Sequence, residues 1–93
     1  MRRIEFDPAK DAVNREKHGL ALTDAAWVFD APCKVTLPVP RFGEERWMDI
    51  AQVHDVGVVL VLIYAVRGDV LRPISLRRAS KAERKFYHEQ TNP

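Results

Sequence analysis

The chain has 93 residues, 46% hydrophobic and 30% charged, with 15 Lys and Arg against 13 Asp and Glu. That length makes one domain, able to bury roughly 60–68% of its unfolded surface and so to hold a core without crosslinks. Cys33 is the only cysteine, which excludes an intramolecular disulfide and a cysteine-based metal site, and the longest apolar run, Val56–Val66, is too short to span a bilayer. Met1-Arg2-Arg3 is not followed by the apolar stretch of a signal peptide, so a cytoplasmic setting is expected.

In chain order, Ile4 and Phe6 alternate with Arg3 and Glu5 and predict a short first strand. Asp7-Pro8 opens a helix, with Asp at the N-cap and Pro at the first helical position. The helix is expected to run to His18, with Gly19 just past its end and Lys17 and His18 at the negative end of its dipole. Its apolar stripe is thin, and Lys10, Asn14 and Lys17 fall at helical spacing on the polar face. Thr23 is expected to cap a second helix, Asp24–Phe29, with Ala25, Ala26, Val28 and Phe29 inward. Pro38 and Pro40 make Lys34–Val39 a frayed or edge strand. Arg41–Glu45 reads as a polar loop, Arg46–Val53 as a strand, and His54–Gly57 as a turn. Val58–Val66, apolar on both faces, reads as the central strand, and Arg67-Gly68-Asp69 as a tight hairpin turn.

The last third carries the positive charge. From Arg67 to Tyr87 seven basic residues stand against two acidic ones, more than the +2 of the whole chain. Its strand, Val70–Leu76, contains Pro73, which cannot donate to a ladder and so belongs at an edge or a bulge. A one-residue bulge there would place Arg72 on one face with Ser75 and Arg77. Ser80-Lys81-Ala82-Glu83 fits a capping box that opens a helix to about Glu89, with Ala79, Ala82 and Phe86 as its apolar stripe. Gln90–Pro93 reads as a disordered tail, leaving a single domain over residues 1–89. The order, β-α-α-β-β-β-α around a central antiparallel sheet, is that of an α+β domain. The first two helices are expected to cover one sheet face and leave Arg46, Arg67 and Arg77 to converge on the other.

No His, Cys, Asp and Glu cluster has metal-ligand spacing, and no glycine-rich phosphate loop is present. What remains is a cationic set with titratable neighbours: Lys17, His18, Glu45, Arg46, Arg67, Arg72, Ser75 and Arg77. Guanidinium forks suit phosphate, and RNA carries its own nucleophile in the 2′-hydroxyl, so a base, an acid and converging cations suffice for cleavage. Each residue also has a structural reading. His18 can satisfy helix C-terminal carbonyls, Glu45 and Arg46 can be an exposed ion pair, Glu83 can be a cap only, and Tyr87 can pack at the core edge.

Phe6-Asp7-Pro8-Ala9-Lys10, Asn14, Lys17-His18-Gly19, Ala25, Val28-Phe29, Glu45-Arg46, Arg67, Arg72, Ile74-Ser75, Arg77-Arg78-Ala79, Glu83-Arg84 and Tyr87 resemble, in order, the pattern of BrnT-type toxins of bacterial type II toxin–antitoxin modules. The resemblance spans Phe6–Tyr87. It implies a RelE-like fold, a metal-free ribonuclease that inhibits translation, and neutralisation by a ribbon-helix-helix antitoxin through which the complex binds operator DNA. It implies a catalytic set of Lys17, His18, Glu45, Arg46, Arg67 and Arg77. The RNA-binding set would be Lys10, Arg72, Ser75, Arg78, Lys81, Arg84 and Tyr87, with no metal and no cofactor. Pro73 stands where an aliphatic residue is common and Ala51 where glycine is common. The competing reading is a non-catalytic basic module that binds an acidic protein or nucleic acid.

Overall fold

The computed structural model describes residues 3–53 and 57–92. Its elements are β1 (Arg3–Ile4), α1 (Pro8–His18), a 3-10 turn (Leu22–Asp24), α2 (Ala26–Phe29), β2 (Val35–Pro38), β3 (Arg46–Val53), β4 (Val58–Arg67), β5 (Val70–Arg78) and α3 (Lys81–Thr91). The five strands form one sheet in the order β1-β5-β4-β3-β2. The expected central strand is therefore central, and the proline-flanked β2 is an edge. All pairings are antiparallel except that of β1, which runs parallel to β5. Of the turn expected at His54–Gly57, only Gly57 lies within the described residues.

The helix ends follow local chemistry. Asp7 Oδ1 accepts from Ala9 N at 2.9 Å, and Gly19 closes α1 in the left-handed region at φ 69°. At α3, Ser80 and Glu83 form both halves of the capping box, and the helix continues to Thr91, two residues into the expected tail. Thr23 does not cap a helix. Leu22 N donates to Asp11 Oδ1 at 2.8 Å, so a side chain of α1 satisfies the free N–H, and a 3-10 turn precedes a short α2 with no side-chain cap.

Asn14 was expected on a polar face, but it is 3% exposed. Its Oδ1 accepts from Leu76 N at 3.0 Å, and its Nδ2 donates to Leu76 O and Leu20 O, each at 2.8 Å. β1 pairs with β5 only at Val70 and Leu71, so the outer edge of β5 beyond them has no strand partner. The carboxamide, with donor and acceptor side by side, takes the place of a peptide group there. α1 is thus held to the edge of β5, and only α2 and the 3-10 turn cover the face that both helices were expected to share.

β5 carries the bulge suggested by Pro73. Ile63 pairs with Ser75 and Tyr64 with Pro73, so Ile74 is the extra residue. The slip puts Leu71, Pro73 and Leu76 on one face and Arg72, Ser75 and Arg77 on the other. The first face packs Leu60, Leu62, Tyr64 and Leu76 against Leu22, Ala25 and Val28, with Ala51 buried among them. Ala26 is exposed rather than inward. On the second face α3 covers Ile50, Val59 and Val61 with Tyr87, not with Ala82 or Phe86, which are exposed. The stripe is shifted because the Tyr87 hydroxyl donates to Cys33 O at 3.1 Å. α3 reaches only this part of the face, and the strand ends around Ala65 stay open.

Candidate active site

Arg46 on β3, Ala65 on β4 and Arg72 on β5 are paired neighbours, so their side chains share one face in a row across the sheet. Ala65 is small and only 3% exposed, and it forms the floor between two arginines. Arg67, two residues along β4, adds a third guanidinium, and Lys10 of α1 a fourth cation, around a cleft of ≈ 110 Å³. Glu44 orders two of them. Its Oε1 accepts from Arg46 Nε at 2.7 Å and its Oε2 from Arg67 Nη2 at 2.8 Å. These two guanidinium groups, Arg67 foremost, hold the Glu44 carboxyl below the usual carboxylate range. Among the described residues Arg72 and Lys10 have no ion-pair partner. The other acids of the cleft are engaged, Glu5 with Arg3 at 3.1 Å and Asp7 in its cap.

Lys10 and Ile74 also line a second cleft, ≈ 380 Å³, between α1 and β5. Lys17, His18 and Ser75 lie along it. The two clefts therefore adjoin. The helix ending at Gly19 sets Lys17 and His18 on one wall, and the bulge at Ile74 sets Ser75 on the other. Together they gather Lys10, Lys17, His18, Arg46, Arg67, Arg72 and Ser75 of the expected sets.

The rest lie elsewhere. Glu45 is exposed, its Oε1 accepts from Trp47 Nε1 at 3.2 Å, and it borders a depression with Phe29, Lys34 and Tyr64 on the opposite face. The carboxylate bonded to the arginines of the cleft is its neighbour Glu44. Arg77 shares the face of Ser75 but is locked to Glu83 by two bonds, 2.7 and 2.8 Å. That fork holds the Glu83 carboxyl down at about 2 and pushes the guanidinium up. Arg78 and Arg84 line a separate cleft with Gln52 and His88, where Arg84 Nη1 donates to Ala79 O at 3.1 Å. Lys81 is exposed on α3. Tyr87, expected to bind RNA, is 4% exposed and cannot stack on a base without leaving the core.

Sequence reasoning missed Glu44, Asn14, Asp49 and Phe42. Asp49 is 0% exposed on the α2 face and accepts from Lys34 Nζ at 2.9 Å, Thr36 Oγ1 at 2.7 Å and Tyr64 Oη at 3.3 Å. An acid between Met48 and Ile50, in the apolar middle of β3, was the available signal. Glu44 had a signal too, because the glycine before it marks a turn that could aim either of two tandem acids inward. Among the described residues no group of three or more His, Cys, Asp or Glu could hold a metal ion, and no helix is long and apolar enough to cross a membrane.

Residues 6–83 match the family model described as the ribonuclease toxin, BrnT, of type II toxin–antitoxin systems. No curated protein matches the chain.

Proposed function

This chain belongs to the BrnT family of ribonuclease toxins of type II toxin–antitoxin systems, and on that premise we propose that it cleaves RNA in the cleft over Ala65 without a metal. The observation that carries the reading is the cross-strand row Arg46–Ala65–Arg72, with Glu44 bonded to Arg46 and Arg67 at its rim. A scissile phosphate on the Ala65 floor has guanidinium groups on both sides, which stabilise the charge that builds on its oxygens in the transition state. Those groups supply the positive charge that a metal ion supplies in other nucleases.

Glu44 is ionised at neutral pH and takes the proton of the 2′-hydroxyl. The 2′-oxygen then bonds to phosphorus, the bond from phosphorus to the 5′-oxygen breaks, and His18 returns a proton to that leaving oxygen. The product is a 2′,3′-cyclic phosphate. Lys17 and Ser75 bind the strand beside His18, Arg72 and Lys10 hold its phosphates, and Arg77, neutralised by Glu83, takes no part. In this reading Glu44 replaces Glu45 in the catalytic set, because of these two acids Glu44 alone lines the arginine cleft.

A type II toxin family implies an antitoxin partner. The proposal extends to a ribbon-helix-helix antitoxin that carries acidic residues, covers the basic seam Arg72–Arg84 and takes the complex to operator DNA. Free toxin then blocks translation in the cytoplasm. The excess of basic over acidic residues from Arg67 to Tyr87 supports an acidic partner there. The test is incubation of purified toxin with RNA, with chelator, and with the same strand carrying a 2′-deoxy substitution at the cleaved position. The expected result is cleavage to a cyclic phosphate that survives chelator and stops at the deoxy site. Loss of activity in chelator, or equal cleavage of DNA, overturns the proposal.

A further inference from the structure

Phe42 is 92% exposed, far more than any other large apolar side chain among the described residues. It occupies the first central position of a two-residue turn, at φ 51°, with Gly43 following at φ 75° and Arg41 bridged to Glu44. Such a turn favours Asn-Gly or Asp-Gly, because a bulky side chain at positive φ crowds its own carbonyl. A phenylalanine there gains no burial and strains the backbone. The Arg41 guanidinium lies 5.1 Å from the ring centroid, which steadies the ring and leaves most of its surface free. Two residues on, Glu44 ties the same turn to Arg46 and Arg67. The turn that carries this exposed ring is therefore joined to the arginine cleft through Glu44, two residues on.

We infer that Phe42 is a stacking platform for a base of the RNA strand whose phosphate occupies that cleft. The inference rests on the ribonuclease reading above. Unstacked RNA bases are taken up on aromatic faces, and a neighbouring arginine adds to the attraction. An anchor for a protein partner calls instead for an apolar surround that excludes water. Phe42 is flanked by Arg41, Gly43 and Glu44, beside a cationic cleft. A strained position that keeps a costly side chain exposed fits a contact made with substrate.

The test uses the full chain and a short, non-cleavable, 2′-O-methylated oligoribonucleotide, together with versions carrying one abasic site at each position in turn. With the wild type, one abasic position weakens binding about 5- to 150-fold, the range for one stacked base. Phe42→Ala weakens binding of the intact strand by the same factor and becomes insensitive to that abasic position, while Phe42→Trp keeps both affinity and sensitivity. Phe42→Asn, which suits positive φ, raises Tm by roughly 4–8 °C and loses RNA affinity as Phe42→Ala does, a pairing that a structural role cannot produce. If Phe42→Ala binds the intact strand like the wild type, or keeps the abasic penalty, the platform is refuted while the ribonuclease reading stands. A loss confined to antitoxin binding overturns it in favour of a protein contact. A wild-type chain that neither binds nor cleaves RNA overturns both.

Discussion

Removing the Asn14 carboxamide tests how β5 is held. Asn14→Ala deletes three hydrogen bonds and leaves Leu76 N–H, Leu76 C=O and Leu20 C=O without partners. Each buried backbone group left unsatisfied costs ~1–3 kcal/mol. The two Leu76 groups are buried and bear most of this, whereas Leu20 O is only partly buried and recovers water, so the loss comes to about 2–6 kcal/mol. In a domain of this size about 1 kcal/mol moves Tm by ~4–8 °C, so a fall of roughly 10–50 °C is expected. Asn14→Asp keeps the acceptor for Leu76 N–H but turns a carboxylate toward two carbonyl oxygens. Its folded pKa must rise, so its deficit against wild type is full at neutral pH and shrinks as pH falls through that raised value. Urea and thermal unfolding give the energies, and amide exchange at Leu76 locates the effect. A variant within about 1 kcal/mol of wild type, with Leu76 still protected, would mean that the outer edge of β5 is held by something else.

Glu44→Gln should lower kcat by about 10²–10⁴ with little loss of RNA binding, while Glu45→Gln stays near wild type; the reverse order would place the base at Glu45 instead. Because the arginines depress the Glu44 pKa, the acid limb of the wild-type rate profile should fall below the ordinary glutamate range. Glu83 sits at about 2 against an ordinary 4.5, so it contributes stability above 4.5 that is lost as pH drops from 4.5 toward 2. Glu83→Gln should flatten that part of the urea midpoint against pH, and identical acid limbs would show the Arg77 pair to be energetically idle. Reversing charge at Arg78 and Arg84 together should weaken antitoxin binding by about tenfold or more, with a smaller effect at Arg2 and Arg3; equal effects would move the docking face.

What could be read in the chain beforehand was what local chemistry decides. Asp7-Pro8 and Gly19 bound α1 correctly because caps and φ preferences act within a few residues. Pro73 announced the bulge because a proline within a ladder leaves few alternatives, and that alone assigned Arg72, Ser75 and Arg77 to one face. The misses needed distant partners. Asn14 looks like a solvated helix position until Leu76, 62 residues away, presents an unpaired edge. The shift from Phe86 to Tyr87 follows from a carbonyl at Cys33, 54 residues back. Of the tandem acids, Glu44 faces the arginines because Arg41 and Glu44 bridge across a tight turn, and Phe42 escaped notice because propensity argues against it there.

The same edge pairing bears on how the chain behaves alone. A five-stranded sheet offers two rows of unpaired peptide groups, and an open row invites another copy to add a strand. On one side β2 is only four residues long, ends at Pro38, and is followed by Pro40. On the other, the edge strand β1 is only two residues long, and past it the carboxamide of Asn14 occupies the Leu76 donor and acceptor that a neighbouring strand would use. A toxin that acts only when its antitoxin is gone must stay dispersed while uncovered. Here the sheet is guarded at both margins by its own residues, so keeping the free chain from self-assembly need not fall to the partner.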